Sequence, residues 1–119
     1  MAGLSVGTLD REVTIQHLVT PEADSGYPTE TWEDLVDVWM AKVDARGAER
    51  FRASQLSAPY DTRWRMHWID EMDPDVVDVP KRRRLVYRGR IFDITAAMEM
   101  GWQDGIELYT LAKPSDEDA

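Results

Sequence analysis

The stretch Arg84-Leu85-Val86-Tyr87-Arg88-Gly89-Arg90-Ile91-Phe92-Asp93-Ile94 constrains this chain more than any other. Two alternating runs of β-formers flank a short Arg88-Gly89 break. Glycine takes positive φ without steric cost, so a tight reversal fits there, although Arg-Gly is a weaker turn signal than Asn-Gly. A two-residue loop fixes the register. Tyr87 then faces Arg90, Val86 faces Ile91, Leu85 faces Phe92 and Arg84 faces Asp93. One face gains an aliphatic–aromatic pair and the other an ion pair, each typically worth about 0.2–1 kcal/mol. The neighbouring segments also have strand character, so this hairpin predicts the centre of a small antiparallel β-domain.

At 119 residues and 43% apolar content the chain suits one domain, with roughly two thirds of its unfolded surface buried. No apolar run approaches the roughly 18 residues of a membrane span, and the start lacks the basic-then-apolar pattern of a signal peptide. The absence of cysteine excludes disulfides and thiolate metal sites and fits assembly in the cytoplasm. The formal charge of −9 is unevenly placed: apart from Arg11 and Lys113, every basic residue lies between Lys42 and Arg90. An acidic whole argues against general nucleic-acid affinity, which draws on Lys and Arg. Separate acidic and basic zones suit contacts with copies of the chain or with other charged proteins.

In chain order, residues 1–8 read as a flexible arm, 9–113 as the β-domain and 114–119 as an acidic, disordered tail. Val13–Val19 is the first strand, with His17 as a half-buried strand residue rather than a ligand. Thr20–Thr31, with Pro21, Gly26 and Pro28, is a loop. Leu35–Val43 is the second strand, apolar on both parities: Leu35, Trp39, Ala41 and Val43 on one, Val36, Val38 and Met40 on the other. Such a strand wants cover on both faces, one from the core and the other from a helix of the chain or a neighbouring subunit. Gly47–Ser57 has no β-branched residue and reads as a short helix ended by Pro59. Its arginines Arg46, Arg50 and Arg52 form either a solvated face or an interface.

Thr62–Ile69 alternates, with Trp64, Met66 and Trp68 on one side and Arg63, Arg65 and His67 on the other. A base-stacking platform wants aromatic and basic residues on one face, so the tryptophans are expected in the core. Asp70–Pro80 is an acidic loop bracketed by prolines, and Lys81–Arg84 leads from it into the hairpin. Asp73, Asp75 and Asp78 lack the glycine and terminal glutamate of a calcium loop. Beyond the hairpin, Ile94, Ala96, Met98 and Met100 share one face. A turn at Gly101–Gly105 precedes a last strand, Ile106–Leu111. The sum is mainly β: a small antiparallel β-barrel of about six strands with one short α-helix and long loops. No nucleophile–base pair, phosphate loop or metal motif is present, so neither an enzyme nor a cofactor is expected.

Several segments in order resemble a known family. Gly7-Thr8-Leu9-Asp10-Arg11 leads into Val13-Thr14-Ile15-Gln16, and Asp24-Ser25-Gly26 precedes Thr31-Trp32-Glu33-Asp34. Val38–Val43, then Gly47-Ala48-Glu49-Arg50 with Ala53-Ser54-Gln55, and finally Tyr87–Ile94 follow at suitable spacing. Over Gly7–Leu111 the chain is similar to the head–tail joining proteins, adaptors and stoppers, of tailed bacteriophages and gene transfer agents. The resemblance implies a structural, non-enzymatic protein of the virion neck. It implies a barrel that forms a homo-oligomeric ring of six- or twelve-fold symmetry below the portal, with free copies monomeric. Such a ring extends the DNA channel, retains packaged double-stranded DNA by non-specific contact and offers a docking surface to the tail. Its partners would be the portal or adaptor complex on the head side and the tail terminator or tail tube on the other, with no membrane. Another neck ring, or a small barrel binding single-stranded nucleic acid, stands as the alternative. Asp70–Lys81 departs from the family pattern. Its carboxylates, Asp70, Glu71, Asp73, Asp75 and Asp78, are expected to face the channel and repel phosphates. Arg46, Arg50 and Arg52 are expected to meet acids of a neighbouring subunit or of the portal-side partner.

Overall fold

The computed structural model of the chain describes residues 9–20, 30–44 and 59–114. The expected arm, the helix over Gly47–Ser57, most of the first loop and the acidic tail lie outside these residues. Six strands are described: β1 (Arg11–Val19), β2 (Thr31–Asp44), β3 (Thr62–His67), β4 (Arg83–Tyr87), β5 (Arg90–Met100) and β6 (Gly105–Ala112). A 3-10 turn (Asp70–Met72) and a one-turn helix α1 (Val79–Arg82) stand between β3 and β4. The strands close into a barrel in the order β1-β2-β3-β6-β5-β4 with every neighbour antiparallel.

Two long strands make closure possible. β2 pairs with β1 over Thr31–Met40 and then with β3 over Met40–Asp44. β5 pairs with β4 over Arg90–Asp93 and with β6 over Phe92–Met100. Each long strand passes from one neighbour to the other along its length, which is the stagger that closing a tilted barrel requires.

The β4–β5 hairpin has the expected register: Tyr87 opposite Arg90, Val86 opposite Ile91, Leu85 opposite Phe92 and Arg84 opposite Asp93. Both turn residues have positive φ, 53° at Arg88 and 76° at Gly89, the conformation whose twist matches the flanking strands. Leu85 and Phe92 are buried in the core. On the other face Arg84 Nε donates to Gln16 Oε1 (2.7 Å) and its guanidinium lies over Trp32, while Asp93 is met by Lys113 at 3.9 Å.

Two bulges correct the expected faces. The β1–β2 register shifts at Ile15/Gln16, which inserts Leu35 as an extra residue. Leu35 therefore packs on the core with Val36 and Val38, and Trp39, expected on Leu35's face, stands outside, 55% exposed. The β5–β6 register shifts at Ile94/Ala96, and the extra residue is Thr95, whose hydroxyl donates to the Tyr109 carbonyl. Ile94 faces the core and Ala97 follows it there, whereas Ala96 packs on Tyr60 and Tyr109 and Met98 is 44% exposed. An inserted residue reverses the alternation beyond it, so Ile94, Ala96, Met98 and Met100 do not share a face.

The core is built around Trp64, fully buried among Val13, Ile15, Met40, Leu85, Ile94 and Leu108. Its ring meets Tyr87 and Phe92 edge-on, at centroid distances of 5.5 and 5.2 Å. Its indole N–H donates to Thr110 Oγ1 (2.9 Å), whose own proton goes to the Thr62 carbonyl (3.0 Å).

Two stability outcomes follow, both read from urea midpoints. Arg88→Asn replaces a residue disfavoured at positive φ by one that tolerates it and is expected to stabilise by about 0.5–1 kcal/mol; an unchanged or lower midpoint contradicts the strain argument. Thr110→Val keeps the shape but leaves the buried indole N–H without its acceptor, with an expected loss of about 1–3 kcal/mol.

Candidate functional site

The connection from β3 to β4 carries most of the sequence's candidate residues, and it is an ordered plug rather than a solvated loop. β3 ends at His67, two residues earlier than the alternation predicts, because Trp68 and Ile69 turn into the connection. Trp68 Nε1 donates to Asp70 Oδ1 (2.9 Å), and the Met72 and Asp73 amides close the 3-10 turn on the Ile69 and Asp70 carbonyls. Asp73 Oδ1 accepts the Asp75 amide (2.9 Å), and the Asp73 carbonyl accepts those of Val76 and Val77. This side-chain-capped turn is a conformation Asp favours.

The helix α1 follows, unanticipated because Pro80 reads as a breaker. Proline in the first helical turn removes an amide that has no intrahelical acceptor there, so it costs nothing. The carbonyl of Asp78 accepts the Lys81 and Arg82 amides. Lys81 and Arg82 thus belong to α1, and the strand begins only at Arg83.

Five apolar side chains fasten this connection to the barrel. Met72 and Val79 are buried in the main core, and Trp68, Ile69 and Val77 pack on it. The arginines add polar ties. Arg82 Nη2 donates to the Leu18 carbonyl (3.3 Å) and Arg83 Nε to the Glu71 carbonyl (3.2 Å). Partial burial, followed by the neighbouring Arg82 charge, pulls the Arg83 pKa below its usual value. With Met72 and Val79 turned inward, most of the carboxylates turn out, and Val76 is left in solvent, 78% exposed. Asp70, Glu71, Asp75 and Asp78 are exposed and Asp73 is half-buried. Among the described residues no three His, Asp or Glu side chains converge to hold a metal ion. The β5–β6 turn lies at the same end of the barrel, since Gly105 pairs with His67, and it holds Trp102, 91% exposed. Arg46, Arg50 and Arg52 lie outside the described residues.

A second polar group was not legible in the sequence. On the outer face of β3 and β6, Glu107 Oε2 accepts from Arg65 Nε at 3.0 Å and lies 3.6 Å from Arg63 Nε, while its Oε1 accepts the Tyr109 hydroxyl. Tyr60 packs edge-on against Tyr109 at 4.9 Å. Arg63 and Tyr109 are only 5% and 2% exposed. Forty residues or more separate the arginines from Glu107 and Tyr109, and only the pairing of β3 with β6 brings them together. Burial, and then the hydrogen bond to Glu107, push the Tyr109 phenol up to about 12. The phenol therefore keeps its proton at neutral pH and supplies no base. The group braces two strands; it offers no nucleophile.

The Tyr109 shift has a definite sign. The native state holds this proton more tightly than the unfolded chain, whose tyrosines titrate near 10. Its stability contribution is complete below about pH 10 and lost as pH rises through about 12. Absorbance titration of the four tyrosines should show one late component, absent in Tyr109→Phe. A wild-type curve without that component contradicts the reading.

Comparison with known proteins adds a lineage to this geometry. The family model described as phage head completion protein matches residues 4–113. No curated protein shows a significant match. Among solved structures, the chain is similar to the solution structure of protein SF1141 from Shigella flexneri 2a. The TM-score is 0.72 at 19% identity, over 91% of this chain and 96% of that one. At that identity the likeness concerns the fold.

Proposed function

Because the chain belongs to the phage head completion protein family, a structural family of head–tail connectors, we propose that it acts as the stopper, or head-completion ring, of a tailed-phage neck. It extends the DNA channel below the portal, helps to retain packaged DNA and offers the surface to which the tail docks. The observation that carries this reading is the family match over nearly the whole barrel, residues 4–113. The residues agree with a structural role. The buried polar groups brace strands, and the exposed charge is mostly acidic, as suits a surface past which DNA must slide without sticking.

Within this role the plug has a specific task. Its outward carboxylates, Asp70, Glu71, Asp73, Asp75 and Asp78, line the channel and repel phosphates, while Met72 and Val79 hold them in place from within the core. Arg46, Arg50 and Arg52 meet acids of a neighbouring subunit or of the portal-side partner.

One complementation experiment tests these assignments. Phage lacking the protein should yield full or leaking heads without tails, seen by electron microscopy, and wild-type protein should restore joining. Lysine at Asp70, Glu71, Asp75 and Asp78 should leave the fold intact but reduce DNA delivery at least tenfold. Charge reversal at Arg50 and Arg52 should abolish joining by a folded chain. Normal tailed particles without the protein would overturn the connector role. Normal infectivity of the lysine variant would overturn the channel assignment alone.

A further inference from the structure

The β5–β6 hairpin ends in a turn that holds a tryptophan almost wholly in solvent. Trp102 is 91% exposed, yet the turn that presents it is closed from within. The Asp104 amide donates to the Met100 carbonyl (3.0 Å) and the Gln103 amide to Glu99 Oε2 (2.8 Å). Gly101 and Gln103 both have positive φ, 60° and 59°, and a side chain at Gly101 would collide with the Asp104 carboxylate. Gln103 accepts a conformation disfavoured for a residue with a side chain, and strain of this kind is kept where it positions a group for a partner. Met98, on the same hairpin, is also exposed, as is Val76, which lies shortly before α1, the helix that packs against β5. A tryptophan already held in place gives up little freedom on binding, so it serves well as the anchor of a protein contact.

Charge decides what kind of surface fits. Across the plug and the turn, Asp70, Glu71, Asp75, Asp78 and Glu99 are exposed. Against them stand the exposed Lys81 and His67, while Arg82 and Arg83 are half-buried and donate to the Leu18 and Glu71 carbonyls. Two such ends brought together repel. The complement is an apolar pocket rimmed by lysine or arginine on a different protein. Topology selects its side. The connection that carries Arg46, Arg50 and Arg52 joins Asp44 to Thr62, at the other end of β3 from the plug. With those arginines assigned to a neighbouring subunit or the portal side, the plug end is left for the tail.

We infer that Trp102 anchors the tail, entering a cation-rimmed apolar pocket on the tail-side protein. The inference rests on the connector reading and names the side chain on which its docking surface turns.

The test mixes heads carrying each variant with purified tails and counts infectious particles over time. A side chain so exposed supports no core, so Trp102→Ala should keep the wild-type urea midpoint and the wild-type copy number on heads. It should join tails at least tenfold more slowly, with Trp102→Phe recovering most of the rate and added salt slowing the wild type. In joined particles, irradiated Trp102→p-benzoylphenylalanine should cross-link to a tail protein. Wild-type joining by Trp102→Ala heads would overturn the anchor, as would loss of that variant from heads. Joined particles with no cross-link, or with one to DNA, a second copy or a head protein, would overturn it too. Heads that join tails without any copy of this chain would instead overturn the connector reading.

Discussion

The buried Trp64 indole is the point on which the barrel depends. Six strands can close only if something large fills the space they enclose, and a ring in contact with Tyr87 of β4 and Phe92 of β5 does so from β3. The indole brings a polar N–H into that space, which is costly unless an acceptor awaits it. Thr110 of β6 supplies one and passes its own proton to Thr62. One side chain thereby ties β3 to three other strands and fixes the register of the β3–β6 pair. That pair in turn brings Arg63, Arg65, Glu107 and Tyr109 together on the outer face.

The same demand for filling explains the acidic connection. A barrel has open ends, and the β3–β4 segment closes one by burying Met72 and Val79. Its composition serves two environments at once, with Met72 and Val79 set between carboxylates so that turning these two inward turns most of the carboxylates out. A surface of fixed negative charge results without any single carboxylate being forced into an unfavourable site. It follows from barrel closure rather than from a separate device.

Much of the architecture was legible because strand periodicity is local. The hairpin register followed from counting outward from Arg88-Gly89, and the burial of Trp64 and Met66 from alternation in β3. The failures have specific causes. A bulge is one inserted residue with no mark in composition, so Leu35 and Thr95 reversed the faces beyond them and moved Trp39 and Met98 into solvent. Pro80 read as a breaker but sits where a first helical turn accepts it. The Glu107 group could not be anticipated, since its members share no local pattern. Of the plug's candidate carboxylates, Asp70, Glu71, Asp75 and Asp78 are exposed and Asp73 is half-buried, and the apolar side chains that hold the plug were not singled out.

By itself the sequence determined the strands, the tight turn, the segregation of charge and the resemblance to phage connectors, because each is written in neighbouring residues or their order. Tertiary structure alone decided which distant strands pair, where the bulges fall and which aromatic side chains are left outside. Those outcomes depend on filling one enclosed volume and satisfying the polar groups within it, and no segment settles that condition alone.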